Sequence, residues 1–233
     1  MGYEVKFDKN IDTFQLSVGS ALVSGVVVLG SPSISKRVFD IGSALILLAV
    51  FSPIMLFVTC MIWISDRQKV IFFHERIGKN GKPFKCLKFR TMCVNADEKL
   101  RRLLQDDPAA RREWDATQKL EKDPRITKLG NFLRKTSLDE LPQLWNILRG
   151  DMSMVGPRPI VDDETRHYGA FIAAYKSVRP GLTGAWQVGG RSDTTYNERV
   201  ALDVDYIKNS SLFLDTKIVF KTVSTVLLGK GAS

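Results

Sequence analysis

"IGSALILLAVFSPIMLFVTCMIWIS", residues 41–65, contains no charged side chain. A helix over this stretch reaches roughly 37 Å, enough for a hydrocarbon core of about 30 Å. It begins too far into the chain for a cleavable signal peptide and lacks a small-residue cleavage site. Ser52-Pro53 sits at its middle. Proline removes a backbone donor and crowds the preceding turn, so a break or kink is expected there. Basic residues flank both ends, Lys36 and Arg37 before, Arg67 and Lys69 after. Basic flanks stay in the cytoplasm. If both flanks obey that rule, the helix turns at Ser52-Pro53 and leaves on the side it entered. A spanning helix with a proline kink fits the same residues. A buried helix of a soluble protein fits worst, because the apolar run is too long and too uniform.

The rest of the chain is polar and basic. Net charge is +9 and 44% of the 233 residues are hydrophobic, which allows one domain plus a membrane element. Such a charge calls for an anionic partner. Aromatic residues are scattered and no nucleic-acid motif occurs, so nucleic acid is not the expected one. The three cysteines, Cys60, Cys86 and Cys93, form no C-x-x-C pair, which argues against disulfides and zinc and for a reducing compartment. With only His74 and His167 present, acid–base chemistry must rest on carboxylates.

Residues 1–35 include "SVGSALVSGVVVLGSPS" (17–33), too broken by glycine and serine for a second membrane helix, and their role stays open. "KVIFFHERIGKNGKPFKCLKFRTM" (69–92) reads as a β-hairpin, with strands at Val70–Phe73 and Phe84–Phe89 and an Asn80-Gly81 turn. Its return strand carries Lys85, Lys88 and Arg90, which also fit a solvated edge. "NADEKLRRLLQDDPAARREWDATQKLEKDPRIT" (95–127) is helical. Asn95 is a candidate cap and Pro108 opens a second helix. Leu100, Leu103 and Leu104 form an apolar stripe among basic residues, fit for a membrane interface or for the domain core.

"TSLDELPQLWN" (136–146) places Asp139 beside Glu140. Neighbours on a helix point about 100° apart, so the pair does not share a face. Ser137 with Glu140 fits a capping box, and locally that is the leading reading. The helix is expected from about Leu138 to Leu148, stopped at Gly150, burying Leu141, Leu144, Trp145 and Leu148. Downstream, Pro157-Arg158-Pro159 presents an arginine on a stiff backbone. "SVRPGLTGAWQVGGR" (177–191) sets Arg179 and Arg191 among Gly184, Gly189 and Gly190. Glycine permits close approach of backbone amides to an anion, and arginine binds phosphate bidentately. Neither stretch is a Walker loop or a dinucleotide fingerprint. The remainder, 196–230, reads as two helices, the second docking on a membrane surface or closing the core.

Taken in order, "KRVFD" (36–40), the proline-broken helix, "GKPFKCLKFRTM" (81–92), "DPRITKLGNFLRKTSLDELPQLWNILRGDMSMVGPRP" (123–159) and "VRPGLTGAWQVGGR" (178–191) strongly resemble the bacterial sugar transferases. These are the small monotopic phosphoglycosyl transferases. Within them the chain looks most like the exopolysaccharide-initiating undecaprenyl-phosphate galactose phosphotransferases. The resemblance runs from about Lys36 to the C-terminus. It implies transfer of a sugar-1-phosphate from a UDP-sugar to undecaprenyl phosphate with release of UMP. It implies Asp139 as covalent nucleophile with Glu140 as its partner, and Mg²⁺ as cofactor at Asp139. Arg134 falls on the family's phosphate-binding arginine and Pro157-Arg158-Pro159 on its Pro-Arg-Pro motif; Arg158 is then a candidate phosphate ligand, with Lys88, Arg90, Arg179 and Arg191 as further candidates.

The expected fold is α+β and mainly helical. Residues 1–35 form a lead, 36–66 a re-entrant membrane helix broken at Ser52-Pro53, and 67–233 a cytoplasmic transferase domain. That domain would carry a β-hairpin and interfacial amphipathic helices. The expected place is the bacterial inner membrane, cytoplasmic face, with membrane lipids as partners. The sequence alone does not separate this mechanism from one-step metal-assisted transfer. A non-catalytic membrane protein that binds anionic lipid is a further alternative. Galactose rests on overall similarity; the sugar and the oligomeric state, a homo-oligomer included, are not fixed by the sequence.

Overall fold

A computed structural model describes residues 33–117, 120–189 and 195–227. The apolar stretch forms one helix, α1, Ile34–Asp66. It ends where Arg67 enters the left-handed region (φ 53°) and donates its amide to Trp63 O. Helical backbone continues through Ser52-Pro53. Pro53 has no N–H for the carbonyl of Ala49, four residues back. The Ser52 hydroxyl donates to that oxygen instead, at 3.0 Å. The expected break is thus a single lost backbone bond, replaced by a side chain.

One stripe of α1 is covered. Asp40, Ala44, Val58 and Ile62 are buried, with Leu47, Leu48 and Met55 beside them. Leu45, Ile46, Val50, Leu56, Phe57, Trp63 and Ile64 are exposed. A contiguous apolar surface of this kind marks a partner or a membrane. Among the described residues α1 alone is long and apolar enough to cross a membrane.

The hairpin forms as expected and its first strand runs further: β1, Ile71–Ile77, pairs antiparallel with β2, Pro83–Phe89. Asn80 and Gly81 take φ 59° and 73°, a conformation that asparagine and glycine tolerate. Helices α2, Ala96–Asp106, and α3, Pro108–Thr117, follow. Asn95 makes no capping bond. Pro108 does open α3, and Asp107 caps it by accepting from the amides of Ala109 (2.8 Å) and Ala110 (3.2 Å). The Leu100, Leu103 and Leu104 stripe is only half-buried.

Helix α4, Lys128–Lys135, is capped by Thr127, whose hydroxyl accepts from Gly130 N at 2.9 Å. A Cβ on Gly130 would lie 1.9 Å from Thr91 O, so only glycine lets α4 rest on the chain leaving β2. Helix α5, Gln143–Arg149, stops at Gly150 (φ 89°) as expected. Arg37 on α1 donates to its last carbonyls, Ile147 O (2.6 Å) and Leu148 O (2.9 Å).

A parallel two-strand ladder was not legible in the sequence: β3, Ser153–Val155, with β4, Gly181–Thr183. Its glycines serve contact between backbones. A Cβ on Gly181 would meet Gly156 N at 2.1 Å, and one on Gly184 would meet Gly156 O at 2.4 Å. The amides of Gly156 and Gly181 already donate to Thr183 O and Pro157 O. They do not form an anion cradle.

Short helices α6, Thr165–Tyr168, α7, Ile172–Ser177, and α8, Ala185–Gly189, precede the two long ones, α9, Tyr196–Asn209, and α10, Leu212–Leu227. The last two are the helices read from the sequence. Ile218 of α10 closes the core, while Phe213, Phe220 and Val223 remain exposed. That core joins Ala44 of α1 to Leu144, Ile147, Met152, Met154, Val155, Tyr206 and Ile207. Two buried carboxylates lock it. Asp40 accepts from Ser153 Oγ (2.9 Å) and Met154 N (3.0 Å). Asp215 accepts from Lys36 Nζ (2.8 Å) and the Tyr206 hydroxyl (2.6 Å). The result is a mainly helical protein with one small hairpin, one short parallel ladder and one long apolar helix.

Candidate active site

Asp139 and Glu140 lie in a 3₁₀ turn, Leu138–Glu140, between α4 and α5. The expected capping box is absent. Ser137 takes a left-handed conformation (φ 57°) and makes no side-chain cap. The reason is the tight reversal after α4, together with a cation that claims Glu140. Lys88 Nζ on β2 lies 2.6 Å from Glu140 Oε1 and 3.8 Å from Asp139 Oδ2. Because regular helix starts only at Gln143, the expected buried face is also corrected. Leu141, Leu144 and Leu148 turn inward, but Trp145 is 56% exposed and Ile147 takes the buried place.

Asp139 is only 7% exposed. Burial pushes its carboxyl up to about 6, Lys88 and Arg134 pull it down, and Glu140 adds to the rise. Arg134, at the end of α4, donates from Nε to Thr91 Oγ1 at 2.9 Å. Burial lowers its pKa, opposed by the charges of Asp139 and Asp123. The turn therefore holds an ionisable, shielded carboxylate and a second carboxylate bonded to a lysine, with the charge of Arg134 on α4 acting on the first. The two neighbouring side chains share Lys88, which bonds Glu140 directly and stands further from Asp139.

The remaining predicted phosphate ligands are dispersed. Arg90 pairs with Asp66 at the end of α1. Arg179 donates from Nε to Gly150 O at 2.7 Å and belongs to the end of α5. Arg191 lies outside the described residues. Arg158 is exposed, 5.5 Å from the ring centroid of Trp186, which Arg199 approaches at 4.7 Å. The backbone around Arg158 is fixed from the hairpin: Arg76 Nη1 donates to Pro159 O at 3.3 Å, and Ile77 N to Ile160 O at 2.9 Å. Asp203, held near 7 by its burial, accepts from the Tyr168 hydroxyl at 2.8 Å.

Sequence reading missed Thr91, Arg76, Trp186, Arg199 and Asp203. Only Thr91 carried a local signal, its place two residues past the last strand position. Among the described residues, no three His, Cys, Asp or Glu side chains are grouped to hold a metal ion. A cleft of about 250 Å³ lined by Glu75, Pro83, Phe84, Lys85, Arg149 and Asp151 does not include the dyad.

The chain matches the bacterial sugar transferase family over residues 31–229. It belongs to that family. It is an enzyme, a sugar transferase with a membrane-associating helix. It is 51% identical over 198 residues to the exopolysaccharide production protein ExoY of Rhizobium meliloti (strain 1021), a match spanning 85% of this chain and 88% of that protein. It is 48% identical over 210 residues to the UDP-galactose-lipid carrier transferase of Erwinia amylovora, covering 90% of this chain and 44% of that one. It is 49% identical over 197 residues to the undecaprenyl-phosphate galactose phosphotransferase of Salmonella typhimurium (strain LT2), covering 84% and 41%.

Proposed function

We propose that this enzyme is a phosphoglycosyl transferase that moves a hexose-1-phosphate, galactose-1-phosphate in the first instance, from a UDP-sugar to undecaprenyl phosphate, releasing UMP. The reaction would be the first membrane step of exopolysaccharide synthesis. The observation that carries the reading is the buried Asp139, 3.8 Å from Lys88 and under the charge of Arg134, beside a Glu140 that bonds the same lysine.

Asp139, ionised above about pH 6, attacks the β-phosphorus of the donor. The bond from that phosphorus to the bridging oxygen breaks, and UMP leaves with the electron pair. A phosphate oxygen of undecaprenyl phosphate then attacks the phosphorus of the aspartyl phospho-sugar and returns the Asp139 carboxylate. Two in-line displacements replace one difficult step. Lys88, 3.8 Å from the carboxylate, and Arg134, whose charge acts on it, would offset the charge that oxygens of the reacting phosphate carry. Glu140 fixes Lys88, and through it the side of Asp139 open to attack.

The donor set suits Mg²⁺, which binds through one or two carboxylates plus substrate phosphates. Asp139 would hold the ion and Glu140 stands one residue away; bound there, it would neutralise charge on the diphosphate. The Erwinia amylovora and Salmonella typhimurium relatives are named for galactose, which supports that sugar for this chain.

The membrane arrangement belongs to the same proposal. The two halves of α1 pack on one body: Asp40 and Ala44 beside α5 and β3, Val58 and Ile62 beside Phe89 and Leu133. A helix crossing the bilayer would carry one end away from that body. A re-entrant helix, open on the cytoplasmic face of the inner membrane, keeps both ends on it and lets the exposed side meet lipid.

The test is exchange of labelled UMP into the UDP-sugar without lipid acceptor. The native enzyme exchanges and Asp139→Asn does not. Full exchange by Asp139→Asn refutes the covalent step, and sequential kinetics with no exchange in the native enzyme supports direct transfer. A panel of UDP-sugars assayed for UMP release identifies the sugar. In a chain with its native cysteines replaced, Ser33→Cys and Val70→Cys label from the same side; labelling from opposite sides refutes the re-entrant helix.

A further inference from the structure

We propose that the hairpin face carrying Lys88, His74 and Arg76 is the bed for the UMP half of the donor, with His74 its central contact. The inference rests on the donor being a UDP-sugar attacked by Asp139.

Antiparallel pairing places directly opposed side chains on one face and alternates along each strand. Phe72 pairs with Lys88, His74 with Cys86, and Arg76 with Phe84. His74 and Arg76 therefore share their face with Lys88. The same face ends at two separate parts of the site. At one end, Lys88 contacts both carboxylates of the dyad. At the other, Arg76 bonds the carbonyl of Pro159 and so holds the segment that presents Arg158. Four residues separate the Lys88 level from Arg76, about 13 Å along a strand. That is comparable with a nucleoside diphosphate extended from its β-phosphorus to its base. His74 stands halfway.

Charge selects which half of the donor lies here. The leaving half is anionic and the sugar is neutral. The face offers cations at both ends, and the Glu164 carboxylate near it is taken up by Arg76 (3.4 Å) and the amide of Val161 (2.9 Å). His74 is exposed and free to meet a ligand. Partial burial of its ring, then the charge of Arg76, lowers its pKa, with Glu164 opposing. It therefore meets the nucleotide as a neutral hydrogen-bonding ring at neutral pH.

The experiment compares the native enzyme, His74→Ala and His74→Gln for KM of the UDP-sugar, kcat, KM of undecaprenyl phosphate and product inhibition by UMP. Loss of one hydrogen bond predicts a rise of about three- to tenfold in donor KM and UMP inhibition constant for His74→Ala. The expected result leaves kcat and the lipid KM within about twofold, with His74→Gln restoring most of the loss, since an amide keeps a donor and an acceptor. Unchanged UMP inhibition in His74→Ala overturns the subsite. UMP is also titrated into the native enzyme while its two imidazoles are followed by NMR, His74 being assigned by its loss in His74→Gln. A shift of the His74 resonance supports the subsite even where His74→Ala fails to fold, and an unmoved resonance at saturating UMP overturns it. A native enzyme that releases no UMP from any UDP-sugar overturns the donor reading first, and this inference with it.

Discussion

Replacing Lys88 by methionine should move the acid limb of catalysis upward. In the proposed mechanism Asp139 acts only when ionised, and its pKa near 6 is the balance of burial against Lys88 and Arg134. At 3.8 Å, two unit charges interact by about 1 kcal/mol in water and by about 4 kcal/mol at an effective dielectric near 20. Lys88 is partly exposed and is shared with Glu140, so the lower figure applies, a shift of about one pH unit. The assay is UMP exchange without lipid acceptor, measured as kcat/KM from pH 4.5 to 8, where the limb reports the free enzyme. The native enzyme should lose activity tenfold per unit below about pH 6. In Lys88→Met the bend should sit near pH 7 whatever the height of the plateau. Glu140→Gln should move it the other way. That change removes a carboxylate that raises Asp139 and also frees Lys88 from its 2.6 Å partner, and both effects favour the ionised form. Identical limbs in all three proteins, or shifts of opposite sign, refute this account of the dyad.

The same burial makes Asp139 costly to the fold. Its pKa rises from 3.8 unfolded to about 6 folded. The cost is absent below pH 3.8, grows as pH rises between the two values, and is complete above about 6, at up to about 3 kcal/mol. Asp139→Asn should therefore unfold at a higher temperature than the native protein at pH 7.5, with the gap closing toward pH 4; a gap independent of pH contradicts this. Ser52→Ala should cost about 1 kcal/mol by leaving Ala49 O without its substitute donor. With Pro53→Ala already present the same change should cost almost nothing, so a double-mutant cycle in detergent should show coupling of about 1 kcal/mol. Asp215→Ala removes the acceptor of Lys36 and Tyr206 and should cost about 3–5 kcal/mol in denaturant unfolding; a loss under 1 kcal/mol contradicts its role in the core.

Features set by local chemistry were legible from residues alone. The uncharged run 41–65, the Asn80-Gly81 turn, the Gly150 stop and the two final helices needed only periodicity and turn chemistry. Features set by contacts distant in sequence were not. Ser137 and Glu140 have the spacing of a capping box, but Lys88, 52 residues away from Glu140, captures the carboxylate. Arg90 looks like a free strand cation, yet it meets Asp66 across the start of the hairpin. Gly184 looks like part of an anion loop because backbone-to-backbone contact needs the same residue as backbone-to-anion contact. Three-residue strands such as β3 and β4 are too short for any period to show. The dyad itself was named through resemblance; local sequence favoured a cap.

Both ends of α1 are tied into the fold that carries the dyad. Lys36, Arg37 and Asp40 tie its start to α10, α5 and β3. Asp66 and the stripe at Val58 and Ile62 tie its end to Arg90, Phe89 and Leu133. The two flanks of the catalytic turn thus rest on different halves of one helix: α4 through Leu133, α5 through Leu144 and Ile147. Leu141, next to Glu140, touches both apolar clusters. The depth of Asp139 relative to the exposed apolar side of α1 is therefore fixed by packing. In the proposed reaction a soluble nucleotide and a lipid phosphate meet at one carboxylate, and a rigid shared core would set where that meeting occurs more tightly than a tethered domain would. The helix that looks like an anchor in the sequence is, in packing terms, half of the catalytic domain's floor.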